Sequence, residues 1–242
     1  MSRRHFIITG TSRGIGEQLA KLLLEAGYGV HGIARGHSEA LIEYPHYRHI
    51  NLDLSQVGDI EPALIGIFEQ VDMSGLDMLC LINNAAMLEP LKSIELCLPD
   101  EIQQHIQVSL VAPMVLTSCF IRHTEGIHTC RKIINISSGS GKYPAPDMSV
   151  YSAGKAGVDM FTQCVGIEQG NRLRPIEIIA VDPGMADTEM QRIARSKPGF
   201  EMSQFFQEAY DNGQLQSTEM LGQHILNIIE RNYESGKLVQ VR

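Results

Sequence analysis

The sequence predicts an α/β protein built as a doubly wound parallel sheet in a single domain, and three observations carry that prediction. Apolar runs of strand length alternate with longer segments of helical period, which is the β-α-β rhythm. The runs are continuous rather than alternating: Ile133, Ile134 and Ile136 fall together, as do Ile176, Ile178 and Ile179. Strands of that kind are buried on both faces, as in a parallel sheet covered by helices. Finally, no internal repeat, low-complexity tract or Pro/Ser-rich linker divides the 242 residues, a length that one α/β core accommodates.

Taken in order, "HFIIT" reads as the first strand, and "GTSRG" as a glycine-rich turn leading into a helix over 16–26. "GVHGIA" and "YRHINLDL" are the next strands, followed by a helix over 59–72. The strand "MLCLINNA" precedes a long helix over 99–124, and "KIINISS" precedes another over 149–170. "IEIIAVDPG" is the last strand predicted, and a helix over 217–232 closes the pattern. The segment 189–216 breaks the rhythm. It holds no strand, and its Met190, Ile193, Phe200, Met202, Phe205 and Phe206 fit a lid of short helices over a pocket as well as they fit a satellite core.

Composition narrows the partners. With 43% hydrophobic and 20% charged residues the chain has a globular balance. A net charge of -8 without a Lys/Arg cluster argues against nucleic acid or an anionic membrane and leaves a small molecule as the expected partner. Runs such as "MLCLI" are too short to span a bilayer, so a cytoplasmic location is expected. Cys80, Cys97, Cys119, Cys130 and Cys164 are scattered and odd in number, which indicates neither a disulfide framework nor a zinc site. The histidines show no metal-ligand spacing either, so no metal is expected.

Three constellations carry chemistry. Gly10, Gly14 and Gly16 lie between a strand and a helix N-terminus, where a flexible backbone and unpaired N–H groups form a phosphate cradle. Their G-x-x-x-G-x-G spacing differs from the usual dinucleotide fingerprint. The second strand ends in Ala34-Arg35 with no acid to hold adenine-ribose hydroxyls, and Arg13 lies in the glycine turn. Two guanidinium groups without a carboxylate favour NADP over NAD. Tyr151 and Lys155 are four residues apart, one helical turn, and Ser138 sits where a strand ends, the edge at which such sheets place ligands. A phenol with an ordinary pKa of about 10 is a poor acid-base group at neutral pH, and a neighbouring ammonium at about 4 Å is worth about 4 kcal/mol toward phenolate.

These motifs resemble those of the short-chain dehydrogenase/reductase family over essentially the whole chain: "TGTSRGIG" at 9–16, "DL" at 53–54, "NNAA" at 83–86, "ISS" at 136–138, "YSAGK" at 151–155 and "DPGMADT" at 182–188. Within it the chain is most similar to bacterial benzil reductase and sepiapterin reductase-like enzymes, through "DMFTQCVGIEQ" and "GMADTEMQ". The resemblance implies a Rossmann-like fold and a site assigned residue by residue. Gly10, Ser12, Arg13, Gly14, Ile15 and Gly16 would surround the pyrophosphate, with Arg35 at the 2′-phosphate. Asp53 and Leu54 would border the adenine, and Asn83, Ala85 and Ala86 would line the cofactor beneath the nicotinamide ribose. Pro183, Gly184, Met185 and Thr188 would grip the carboxamide. Ser138 would bond the substrate carbonyl, Tyr151 would donate the proton, and Lys155 would tune Tyr151 and hold the ribose.

Two positions depart from the family pattern. Ala86 stands where a glycine is usual, and Ser109, counted in the catalytic set, stands where the family carries an Asn that holds a water in the proton relay. The expected activity is an NADPH-dependent reduction of a ketone or 1,2-diketone by a homodimer or homotetramer, with Ser140, Tyr143, Pro144, Met148 and the lid walling the pocket. The alternatives are a non-catalytic NADP-binding regulator, which Ser109 keeps open, and an NAD-dependent alcohol dehydrogenase, which the arginines disfavour.

Overall fold

Among the described residues every strand lies in one parallel sheet of seven, ordered β3-β2-β1-β4-β5-β6-β7. The computed structural model describes residues 3–241. The elements run β1 (Arg4–Thr9), α1 (Gly14–Glu25), β2 (Gly29–Ala34), α2 (Glu39–Ile42), β3 (Tyr47–Asn51), α3 (Ile60–Gln70) and β4 (Met78–Asn83). They continue with α4 (Pro99–Ile106), α5 (Ala112–Thr124), β5 (Cys130–Ile136), α6 (Ser149–Gly170), β6 (Glu177–Asp182), α7 (Glu189–Ser196), α8 (Ser203–Asp211), α9 (Thr218–Ile229) and β7 (Leu238–Gln240). The predicted Rossmann-like, doubly wound α/β class is the one observed. The strand order reverses between β1 and β4, the switch point at which open α/β sheets bind ligands.

Side-chain alternation in the strands builds the two cores. Phe6 and Ile8 of β1 pack with Leu19 and Leu23 of α1 and Leu221 and Ile225 of α9 on one face. Ile7 between them joins Leu79 and Leu81 of β4 with Leu64 and Ile67 of α3 and Leu116 and Phe120 of α5 on the other. Burial on both faces is why these strands read as continuous apolar runs. At the start of β5, two buried cations are spent on helix ends in opposite layers. Arg131 donates to the Thr124 carbonyl that ends α5 (2.7 Å), while Lys132 donates to the Ile229 carbonyl that ends α9 (3.0 Å) and pairs with Glu177. Cations at C-terminal carbonyls satisfy orphan acceptors and complement the helix dipole.

Three differences from the sequence reading have physical causes. The segment 99–124 is one continuous helix interrupted by a π-helical turn at Gln107–Val111. By length and composition that helix is apolar enough to cross a bilayer, which the short separate runs concealed. Its apolar surface is instead spent on the core through Ala112, Leu116 and Phe120. The edge strand β7, only three residues long, carries too little pattern to be read. The four-residue α2 is missed for the same reason.

Replacing the fully buried Phe120 by Ala should lower unfolding stability by about 3–5 kcal/mol in urea titration, since its contacts tie the sheet to α3 and α5.

Candidate active site

Beyond Thr9 the chain leaves the sheet through the glycine turn, and the turn is held by the end of β4. The Asn84 side-chain amide donates to the Thr9 carbonyl (2.9 Å) and the Gly10 carbonyl (3.3 Å), and the Thr9 hydroxyl accepts from the backbone N–H groups of Asn84 and Ala85 (both 3.0 Å). Gly10 and Gly14 have positive φ (76° and 65°). A Cβ on Gly16 would sit 2.3 Å from the Gly10 carbonyl oxygen and 2.4 Å from the Asn84 amide nitrogen. Gly16 therefore lets α1 begin directly against the turn, whereas Gly14 is open except for Thr188, whose methyl lies 3.7 Å from the corresponding point. The first turn of α1 faces this space with its N–H groups. The open glycine backbone and the helix start that follows it fit a dinucleotide pyrophosphate.

Around the cradle the predicted residues fall into two groups. Ile15 packs on the α1/α9 core, Ser12 lies beside Gly36 at the end of β2, and Ala85 is the floor on which Gly10 rests. Ala86 follows it, half-buried. Arg35 is exposed just past β2 and acts electrostatically on Asp53, whose carboxyl is held below its usual range mainly by the Ser55 backbone N–H and also by Arg35. Pro183 is buried, Gly184 turns with φ 75° and donates its N–H to Asp182, the Met185 carbonyl accepts from the Gln216 N–H, and Thr188 caps α7 through the Gln191 N–H.

Three of these residues also have contacts within the protein. Asn83 points into the sheet interior, donating to Asn135 (2.8 Å), its register partner on β5, so it is Asn84 that holds the glycine turn. Leu54 is buried in the α3/α5 core and offers the adenine side only backbone. Arg13 lies in an ion pair with Glu189 at the start of α7 rather than standing unpaired beside Arg35.

The second constellation converges at the C-terminal end of β5. Ser138 follows the strand, and its hydroxyl accepts from the Ser140 N–H (3.2 Å) as the cap of a short 3-10 turn. Tyr151 and Lys155 lie one turn apart on α6, both buried. The Lys155 ammonium donates to the Ile136 carbonyl at the last position of β5 (2.8 Å) and sits 5.8 Å from the Tyr151 ring centroid. Burial lowers the Lys155 pKa to about 8, opposed by the carboxylates of Asp159 and Asp182. Burial also raises the Tyr151 phenol, opposed by a hydrogen bond with Ser138 and reinforced by Asp182. The expected lowering of Tyr151 by Lys155 is therefore not what this arrangement gives. Desolvation dominates, and the phenol keeps its proton at neutral pH. Asp159 was not singled out in the sequence because an ordinary helix acid carries no spacing signal, and Asp182 was read only as the first letter of "DPGMADT".

An apolar cluster lies over Tyr151: Leu88, Leu91, Met148, Ala194 and Phe200, with Met190, Met202 and Phe206 against it. Much of this is the predicted 189–216 segment, folded as α7 and α8. Lys197, just past α7, makes two contacts of 2.6 Å to the Glu89 carboxylate. Met148 belongs to the predicted wall, whereas Tyr143 is turned out to solvent at 71% exposure. Ser109 lies in the π turn, buried, and accepts from the Met87 N–H (3.0 Å). It thus anchors the segment that follows "NNAA".

A family model described as short chain dehydrogenase matches residues 4–199. A benzil reductase ((S)-benzoin forming) of Bacillus cereus is 35% identical over 98% of this chain and 99% of its own length. The sepiapterin reductase of Bos taurus is 26% identical over 98% and 93%. Among solved structures, that of the KRED1-Pglu enzyme superposes with a TM-score of 0.82 at 24% identity, covering 98% of this chain and all of the other. The chain belongs to the short-chain dehydrogenase family of oxidoreductases.

Proposed function

We propose that this protein is an NADPH-dependent carbonyl reductase that reduces an aromatic ketone or 1,2-diketone. The observation that carries the reading is the meeting of Ser138, Tyr151 and Lys155 at the end of β5 beneath an apolar cluster. The relation to benzil reductases supports it, because that name specifies reduction of an aromatic diketone. Phe206, only partly buried and packed on Phe200 with ring centroids 6.0 Å apart, adds an aromatic ring to that region.

The cradle from Gly10 to Gly16 would hold the pyrophosphate, Arg35 and Arg13 the 2′-phosphate, Lys155 the nicotinamide ribose and the Pro183–Thr188 turn the carboxamide. When bound, the cofactor supplies the hydride that the carbonyl carbon receives. Tyr151 gives its phenolic proton to the carbonyl oxygen, and Ser138 donates a hydrogen bond to that oxygen as negative charge develops. The high phenol pKa suits this direction: the group must arrive protonated, and the Lys155 ammonium close to the ring stabilises the phenolate left behind. The apolar cluster excludes water and strengthens both interactions. In this reading the 189–216 segment is the substrate lid, and the protein works as a homodimer or homotetramer in the cytoplasm.

Purified protein should oxidise NADPH in the presence of benzil, and Tyr151→Phe should lower kcat by about 10²-fold or more while leaving NADPH binding within about twofold; undiminished turnover by that variant would defeat the reading. The pH profile has a defined sign. The Lys155 pKa of about 8 lies below the ordinary lysine value, so the ammonium is present below pH 8 and lost above it, and kcat for reduction should fall as pH rises through that value. Arg35→Ala should weaken NADPH by about 1.5–3 kcal/mol, the range for a hydrogen bond to a charged group. NADH affinity should stay unchanged, and titration of cofactor fluorescence would compare the two.

A further inference from the structure

His105 carries no spacing signal in the sequence, yet it is fully buried beside Tyr151. It lies in the last turn of α4, four residues before Ser109. Its Nδ1 is 2.7 Å from the Glu89 carbonyl oxygen. A carbonyl only accepts, so Nδ1 carries the proton and Nε2 is left with a lone pair. Burial lowers the imidazole pKa, with the Glu89 bond opposing and the Lys155 charge adding to the lowering, which agrees with that neutral form. The ring stands edge-on to Tyr151, centroids 5.9 Å apart at 77°. Nε2 is buried and has no hydrogen-bond partner among the described residues.

An unspent donor lies close by. The Ser109 oxygen accepts the Met87 N–H, which leaves its own O–H to give. His105 and Ser109 both face Gly154 of α6. The point where Gly154 would carry a Cβ is 3.2 Å from His105 Nε2 and 3.7 Å from Ser109 Cβ. An acceptor and a donor one helical turn apart, each without a protein partner among the described residues, have the polarity that a buried water satisfies: it accepts from one and donates to the other.

We propose that His105 and Ser109 form a water-binding site beside Gly154, and that through it His105 is a positioning residue for Tyr151. The bridge spans α4 and the π turn on the side packed against Gly154, and the edge-on contact of His105 carries it to the Tyr151 ring. The Glu89 bond extends the same chain of contacts to Lys197, and so to α7. His105 touches neither the reacting carbonyl nor the cofactor in this account; it fixes the ring that does. The kinetic part rests on the reductase reading, whereas the site itself does not.

The first test is spectroscopic and needs no substrate. In ¹⁵N-histidine-labelled protein the His105 signals should show a protonated Nδ1 and an unprotonated, hydrogen-bonded Nε2, and Ser109→Ala should move Nε2 toward its unbonded value. Nε2 found protonated, or unmoved by Ser109→Ala, would overturn the site. Kinetically, Ser109→Ala and His105→Phe should each lower kcat with benzil about 10- to 100-fold, with KM and NADPH affinity within about twofold. Ser109→Thr, which keeps the hydroxyl, should restore activity. The double variant should be little worse than His105→Phe, because both changes remove one bridge. Additive losses, or failure of Ser109→Thr to restore kcat, would leave His105 without a positioning role. Should His105→Phe not fold, the Ser109 pair and the labelled wild-type protein decide the matter. Absence of ketone turnover by wild-type protein would count against the reductase reading and leave the spectroscopic result standing.

Discussion

A parallel sheet covered by helices on both faces has few places for polar side chains except the ends of its strands, and the organisation of this molecule follows from that constraint. Phe6, Ile7 and Ile8 fill both cores from one strand, so none of these three is free for chemistry. Thr9 and Gly10 at the strand's end are where Asn84 and Ala85 can reach across from β4 and fix the turn. The end of β5 is used in the same way, with the Ile136 carbonyl taking the Lys155 ammonium. At the opposite end of that strand, Arg131 and Lys132 are absorbed in capping α5 and α9. One edge of the sheet thus carries its groups toward a common site, while the other spends its charges on holding helices.

The same burial sets the electrostatics. Lys155 and Tyr151 lie side by side, and desolvation pushes both toward their neutral forms, the amine down and the phenol up. Asp159 and Asp182 moderate the lysine and keep a substantial ammonium population near neutral pH. Without them, burial alone would favour the free amine still more strongly. The phenol has the weaker counterweight, a neutral hydroxyl from Ser138. A site that protonates an oxygen needs a held proton and a nearby positive charge, and two acids one step removed from the chemistry help maintain the second.

The fold and the principal trio were legible in the sequence because each left a periodic or spaced trace. Helix α6 begins and ends where its period predicts, and Tyr151 and Lys155 share a face because they are four residues apart. The glycine turn was legible because a strand, glycines and a helix occur together. What escaped was decided by direction rather than position. Asn83 and Asn84 are adjacent and identical, and only the pleat determines that the first faces Asn135 and the second faces Gly10. Leu54 was read by its place in a motif, but the core claims its side chain. His105 was invisible for another reason: an isolated histidine has no spacing, and its meaning arises from Gly154 and Ser109 packing around it.

Two ion pairs give the α7 region its place in this scheme. Glu189 at its start holds Arg13 of the glycine turn, and Lys197 just past its end holds Glu89, which follows β4. Between them Met190 and Ala194 lie with Phe200 on the apolar cluster that includes Tyr151. One side of the segment therefore meets the anion cradle and the other the region of the phenol. The Arg13–Glu189 pair is exposed, at 68% and 38% of side-chain surface, so it contributes little to stability and separates at little cost. A phosphate arriving at Arg13 would compete directly with Glu189 for the guanidinium. Within the proposed function the same guanidinium would therefore face both the glycine turn and, through Glu189, the start of α7.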